Sequence, residues 1–113
     1  MNRAEQRQQI DRFRALGDLL LQARLSALQA AAAARTASLD RLADLDRPAP
    51  ATDLPALAAA GVGLRYDRWA DQRRAEINLT LARQTATWIE ARQAAALAFG
   101  RSQALDALAQ KRT

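Results

Sequence analysis

The sequence predicts an all-α protein: a long antiparallel two-helix coiled-coil hairpin with a short helix in the connecting loop. Three observations carry this. Two long stretches lack proline, their apolar residues recur in alternating steps of three and four, and every proline falls in one block between them. The composition agrees. Half of the 113 residues are hydrophobic but only 4% are aromatic, and alanine supplies most of the apolar share. Alanine forms helix readily yet buries little area, so a slender rod is favoured over a thick core.

The first helix is expected over residues 3–46. Its apolar series reads Ile10, Phe13, Gly17, Leu20/Leu21, Leu25, Leu28, Ala32, Leu39 and Leu42, interrupted by Arg35. Pro48 and Pro50 then stop it, because each proline drives its predecessor out of the α region. Residues 47–63 form the linker. Within it, Thr52 or Asp53 caps a short helix over Leu54–Ala60, with Pro55 in its first turn and Gly61 past its end. The second helix is expected over residues 64–112. Its seam reads Ala70, Arg73, Ile77, Leu81, Gln84, Trp88, Ala91, Ala95, Ala98, Ser102, Leu105 and Ala109. Asp67 suits its positive end, and Lys111 and Arg112 suit its negative end. The whole chain, 1–113, is read as one domain.

Helices of similar length across a short proline-marked connection fold back on each other. A register that places Leu28 opposite Trp88 also sets Gly17 against Phe99, Leu21 against Ala95, Leu25 against Ala91 and Leu39 against Ile77. Large then meets small in most layers. Gly17 makes room for the Phe99 ring, and Arg35 lies near Leu81 and Gln84 as a polar layer. Ala23, Ala27, Ala30, Ala31 and Ala34, with Ala91, Ala94, Ala95 and Ala98, let the helices approach closely. So thin a core is marginal alone, and a partner or a second copy of the chain would add stability.

The residue inventory excludes much chemistry. Without cysteine or histidine there are no disulfides, thiol nucleophiles, zinc fingers or imidazole bases. No phosphate-cradling glycine loop is present, and Gly61-Val62-Gly63 reads as a helix-ending turn. Asp40 and Asp44 sit one turn apart with nothing to bury them. No enzyme, cofactor, metal or small-molecule substrate is expected. The net charge is +5, and the basic residues are all arginine except Lys111. Acids and bases mix in both halves, which favours a solvated helix surface over a nucleic-acid track. The longest charge-free stretch within a predicted helix, Leu25–Ala34, is too short to span a bilayer. The charged N-terminus does not resemble an export signal, so a cytoplasmic protein is expected.

Two clusters are candidate partner-binding sites. A hairpin brings Arg3, Arg7, Arg12 and Arg14 to the same open end as Arg101, Lys111 and Arg112. These are either frayed, solvated helix ends or a basic tip that enters an opening in a partner lined by acids or carbonyls. At the other end Tyr66, Arg68 and Trp69 start the second helix, where Trp69 either packs under the linker or stands out as an aromatic anchor. Trp88, on the seam, is read as core.

One resemblance follows from the second helix. The stretch Arg68-Trp69-Ala70-Asp71-Gln72-Arg73-Arg74 through Asn78-Leu79-Thr80-Leu81-Ala82, with Ala98-Phe99-Gly100-Arg101, resembles the FliJ-type flagellar export components, relatives of the YscO stalk proteins of type III secretion. The resemblance covers almost the whole chain at the level of architecture. It implies a non-catalytic cytoplasmic stalk, peripheral at the cytoplasmic face of the inner membrane. Such a stalk binds inside a hexameric export ATPase by its open end, touches the export gate and escorts chaperones. Guanidinium groups suit a ring pore, because they pair with carboxylates and carbonyls at several angles.

Two other functions compete with it. A small helical chaperone or regulator would seat one partner helix in a groove along the seam. A basic nucleic-acid accessory protein would bind with steep salt dependence.

Overall fold

The computed structural model describes residues 2–47 and 53–111. It contains two long helices, α1 (Arg3–Leu45) and α2 (Ala56–Lys111), and no strand among the described residues. The expected fold class, an antiparallel two-helix coiled-coil hairpin, is the one observed. The chain divides into two compact units. One joins Met1–Ala32 to Ala86–Thr113, and the other is Ala33–Thr85.

Helix α1 starts on a side-chain cap. The Glu5 amide donates to Asn2 Oδ1 at 2.8 Å, and the Gln6 amide donates to the Asn2 carbonyl at 3.0 Å. An Asn-x-x-Glu start satisfies amides that the helix itself leaves unpaired. The other end closes by tightening, with the Asp46 amide on the Ala43 carbonyl and the Arg47 amide on the Asp44 carbonyl. Pro48 and Pro50, expected to stop the helix, lie outside the described residues, as do Thr52 and Arg112.

Helix α2 starts earlier than expected and does not break. The Pro55 carbonyl accepts from the Ala59 amide at 2.8 Å, and the helix runs on unbroken through Gly61 and Gly63. The separate short helix over Leu54–Ala60 and the glycine turn after it are therefore not found. Termination at glycine uses a left-handed backbone, and no glycine here adopts a positive φ. Each glycine in a helix interior costs about 1 kcal/mol, a loss that the good helix formers around them offset.

In the first unit, the buried or half-buried seam runs through Ile10, Arg14, Gly17, Leu21, Leu28 and Ala31 on α1. It faces Trp88, Ala91, Ala95, Ala98, Ser102, Leu105 and Ala109 on α2. Polar pairs cross it. Arg14 Nε donates to Asp106 Oδ1 at 3.1 Å, and the Ser102 hydroxyl donates to Asp18 Oδ1 at 3.0 Å. In the second unit, Leu45, Ala70 and Ile77 form the core, with Leu42 packed against it. Here Arg35 Nε donates to Thr85 Oγ1 at 3.2 Å and the Ser38 hydroxyl donates to Gln84 Oε1 at 2.5 Å. Arg74 reaches both the Leu45 carbonyl and Asp46.

These pairs correct the expected register by about one helical turn. Gly17 does not face Phe99, which is 52% exposed. A Cβ placed on Gly17 would lie 3.1 Å from Leu105 Cδ1, so leucine fills the space the glycine leaves. Leu39 is exposed, and Ile77 belongs instead to the buried cluster of Leu45 and Ala70, against which Leu42 packs. Leu28 and Trp88 do border the same groove. The reason for the slip is geometric. Sliding one helix past the other by a turn keeps the same faces inward, so the apolar pattern hardly distinguishes the two registers. The polar residues do distinguish them. In the expected register Arg35 would meet Leu81, whereas in the observed one it meets Thr85.

The seam itself changes in detail. Phe13, Leu25 and Leu39 are exposed, while Arg14 and Ser38 occupy inner positions. On α2, Arg74 replaces Arg73 as the half-buried arginine. Of the alanines expected between the helices, Ala31, Ala91, Ala94, Ala95 and Ala98 are at least partly buried, whereas Ala23, Ala27, Ala30 and Ala34 are exposed.

Candidate protein-binding surface

The first unit holds the N-terminal arginines and the C-terminal turns, and its seam has two flanks. On one flank stand the residues that follow inner positions, Asp11 after Ile10, Ala32 after Ala31, Arg92 after Ala91 and Asp106 after Leu105. A hollow of about 250 Å³ on this flank is bordered by Arg7, Asp11, Arg14, Asp106 and Gln110. A larger open groove of about 760 Å³ is bordered by Leu25, Leu28, Gln29, Ala32, Trp88 and Arg92. The Arg92 guanidinium sits 5.6 Å from the Trp88 ring centroid, within cation–π range. Trp88 is half-buried, on the seam as expected.

The opposite flank carries residues that precede inner positions: Phe13, Leu20 and Ala27 before Arg14, Leu21 and Leu28, and Arg101 and Leu108 before Ser102 and Ala109. In an antiparallel pair these positions of both helices share one side. One turn further round come Leu16 and Ala23 on α1 and Leu97 and Ala104 on α2. This flank is apolar and open. Leu16 is 62% exposed and Leu97 56%, and Phe13, Leu20 and Leu108 are exposed too.

The expected basic cluster is therefore divided. Arg7 and Arg14 share their hollow with Asp11 and Asp106, and Arg14 is ion-paired at 3.1 Å, so that side is of mixed charge. Arg12, Arg101 and Lys111 are exposed around the apolar flank, with no ion-pair partner among the described residues. Arg3 is exposed in the first turn of α1. Sequence reasoning missed the apolar flank. Its signal was present as a second series, Phe13, Leu16, Leu20, Ala23, Ala27 and Ala30, starting one residue ahead of Arg14. Reading Phe13 and Leu20 into the seam merged the two.

In the second unit, Tyr66, Arg68 and Trp69 lie well inside α2 and not at its start, because the helix begins at Ala56. The Tyr66 and Trp69 rings are tilted by 41° with centroids 5.7 Å apart. Both are exposed, and Trp69 borders a shallow hollow with Gln72, Arg73 and Glu76. Arg68 is exposed beside them. Leu57, at 87% exposure, Val62 and Leu64 continue the apolar surface toward the helix start.

Among the described residues no cluster of carboxylates is placed to hold a metal, and no helix is long and apolar enough to cross a membrane. Asp40 and Asp44 are exposed, and Asp44 pairs with Arg47 at 2.9 Å. Fold and surface together define the class, an antiparallel helical hairpin with exposed apolar surface beside cations that have no ion-pair partner among the described residues. No protein-family profile, no characterised protein and no solved structure matches the chain.

Proposed function

We propose that the chain is a non-catalytic coiled-coil component of flagellar or type III protein export. In this reading it acts as a stalk that engages a hexameric export ATPase through the unit holding its termini, and it touches the export gate. The observation that carries the reading is the antiparallel pairing of that unit, which leaves Arg12 of α1 and Arg101 and Lys111 of α2 exposed around one flank. Arginines on both helices can pair with carboxylates and carbonyls of a surrounding ring. The second-helix stretch from Arg68 to Ala82, and Ala98 to Arg101, supports it by resemblance to FliJ-type components. The exposed Tyr66 and Trp69 rings, with Arg68, offer a second contact suited to the gate. The working place is then the cytoplasm, against the cytoplasmic face of the inner membrane.

The test is affinity purification from the native host, followed by an ATPase assay with the purified partner. Co-purification of a hexameric ATPase and stimulated hydrolysis are expected, with both weakened in an Arg12→Glu, Arg101→Glu chain. Absence of the ATPase and no change in hydrolysis would overturn the reading.

A further inference from the structure

We infer that the apolar flank of the first unit is a docking surface for one amphipathic helix of another protein, with acidic residues beside its apolar stripe. The inference needs neither an ATPase nor the export reading.

The first ground is shape. Phe13, Leu20 and Ala27 repeat every seven residues along α1, with Leu16 and Ala23 one turn round. Arg101 and Leu108 on α2, with Leu97 and Ala104, run beside them. Two helices lined in this way leave between them a track into which a third helix packs its own stripe. From Phe13 to Ala27 the track is about 20 Å long at 1.5 Å per residue, which is some four turns of partner helix. Leu16 and Leu97, more than half exposed, would be its main contacts.

Charge chooses the occupant. Arg101 stands within the track, Arg12 lies one turn from Leu16, and Lys111 lies two turns beyond Ala104. None has an ion-pair partner among the described residues, unlike Arg14 on the other flank. Glu90 sits at the far margin, two turns before Leu97. A second copy docked face to face would bring more arginine to this site. A helix bordered by Asp or Glu would complement it, and buried leucine beside satisfied guanidinium is a favourable interface centre.

The probe is a synthetic helix of about 20 residues with leucines at alternating three and four spacing and glutamates on both borders. A matched peptide carries lysines instead. Binding is read by fluorescence anisotropy at two salt concentrations, and helicity of every variant by circular dichroism. The acidic peptide is expected to bind and the basic one not. Leu16→Gln with Leu97→Gln, and separately Arg101→Glu, should each weaken binding by about tenfold or more. Leu25→Gln, on the opposite flank, should leave it unchanged. The single leucine variants decide the matter if the double one loses helicity. Equal binding of both peptides, no binding at all, or loss only with Leu25→Gln would overturn the inference. So would a self-associating chain that Leu16→Gln, Leu97→Gln turns into a monomer by sedimentation equilibrium.

Discussion

Ser38 of α1 is wholly buried, and its hydroxyl donates to Gln84 Oε1 of α2 at 2.5 Å. An inner position that an ordinary coiled coil would fill with leucine is here filled by a polar pair. Such a pair is satisfied in one register and orphaned in its neighbours. Ser38→Ala should lower stability by about 1 kcal/mol, since it leaves the Gln84 oxygen without its donor. Ser38→Leu should cost about 1–3 kcal/mol, because no space is open at this position. Urea unfolding followed by helical circular dichroism measures both. A leucine variant more stable than the natural chain would show that the polar layer is not what sets the fit.

Cross-linking tests the register directly, and the chain has no native cysteine to interfere. Asp18 and Ser102 face each other through a 3.0 Å hydrogen bond. The pair Asp18→Cys, Ser102→Cys should oxidise rapidly to an internal disulfide. The pair Gly17→Cys, Phe99→Cys should not, because Phe99 points to solvent. Gel mobility under mild oxidation separates the two outcomes, and the reverse order would restore the alternative register.

Gly17 and Gly100 should respond differently to alanine. Nothing lies within 4 Å of a Cβ built on Gly100, and its backbone is ordinary helix. Gly100→Ala should therefore raise stability by up to about 1 kcal/mol. At Gly17 the same gain is opposed by the Leu105 methyl 3.1 Å away. Gly17→Ala should gain less, and Gly17→Leu should destabilise by overpacking. Thermal melts of the three variants check the order.

Arg74 ties the end of α1 to α2. Its guanidinium reaches the Leu45 carbonyl at 3.3 Å, Asp46 at 3.1 Å and Asp71 at 2.9 Å. The Leu45 carbonyl is one of the last four that α1 cannot satisfy internally. Arg74→Met keeps the aliphatic stem and removes the donors. The partners are partly exposed, so the loss should be about 1 kcal/mol. Faster amide exchange should be confined to the last turn of α1, around Leu42–Asp46. Arg14→Ala, which breaks an exposed ion pair with Asp106, should cost less than about 1 kcal/mol and less still in high salt.

Much of the fold is legible in the sequence. Alanine and leucine in alternating three and four steps, with every proline gathered into one block, specify two helices and their reversal. On α2 the inner positions were readable almost residue by residue, from Ala70 to Ala109, with Arg74 for Arg73 as the exception. The start of α2 was less legible. Gly61 and Gly63 look like punctuation, yet a glycine ends a helix only where the backbone turns left-handed, and composition does not reveal φ.

On α1 two apolar series overlap one residue apart, so periodicity alone draws Phe13 and Leu20 into the seam although they belong to the open flank. The basic end was visible as a list of arginines but not as an arrangement. Only packing shows that Arg14 is matched by Asp106 while Arg12 and Arg101 are left facing outward.

The sequence by itself therefore determined the two helices, their antiparallel course and most of the inward faces, because these follow from local propensity and periodicity. The tertiary structure alone decided the register and the side that stays uncovered. A slip of one turn returns nearly the same residues to the interface, so burial of apolar area barely separates the candidates. What separates them is whether Ser38, Arg35, Asp18 and Arg14 each find a polar partner across the seam, a condition that exists only once both helices are in place.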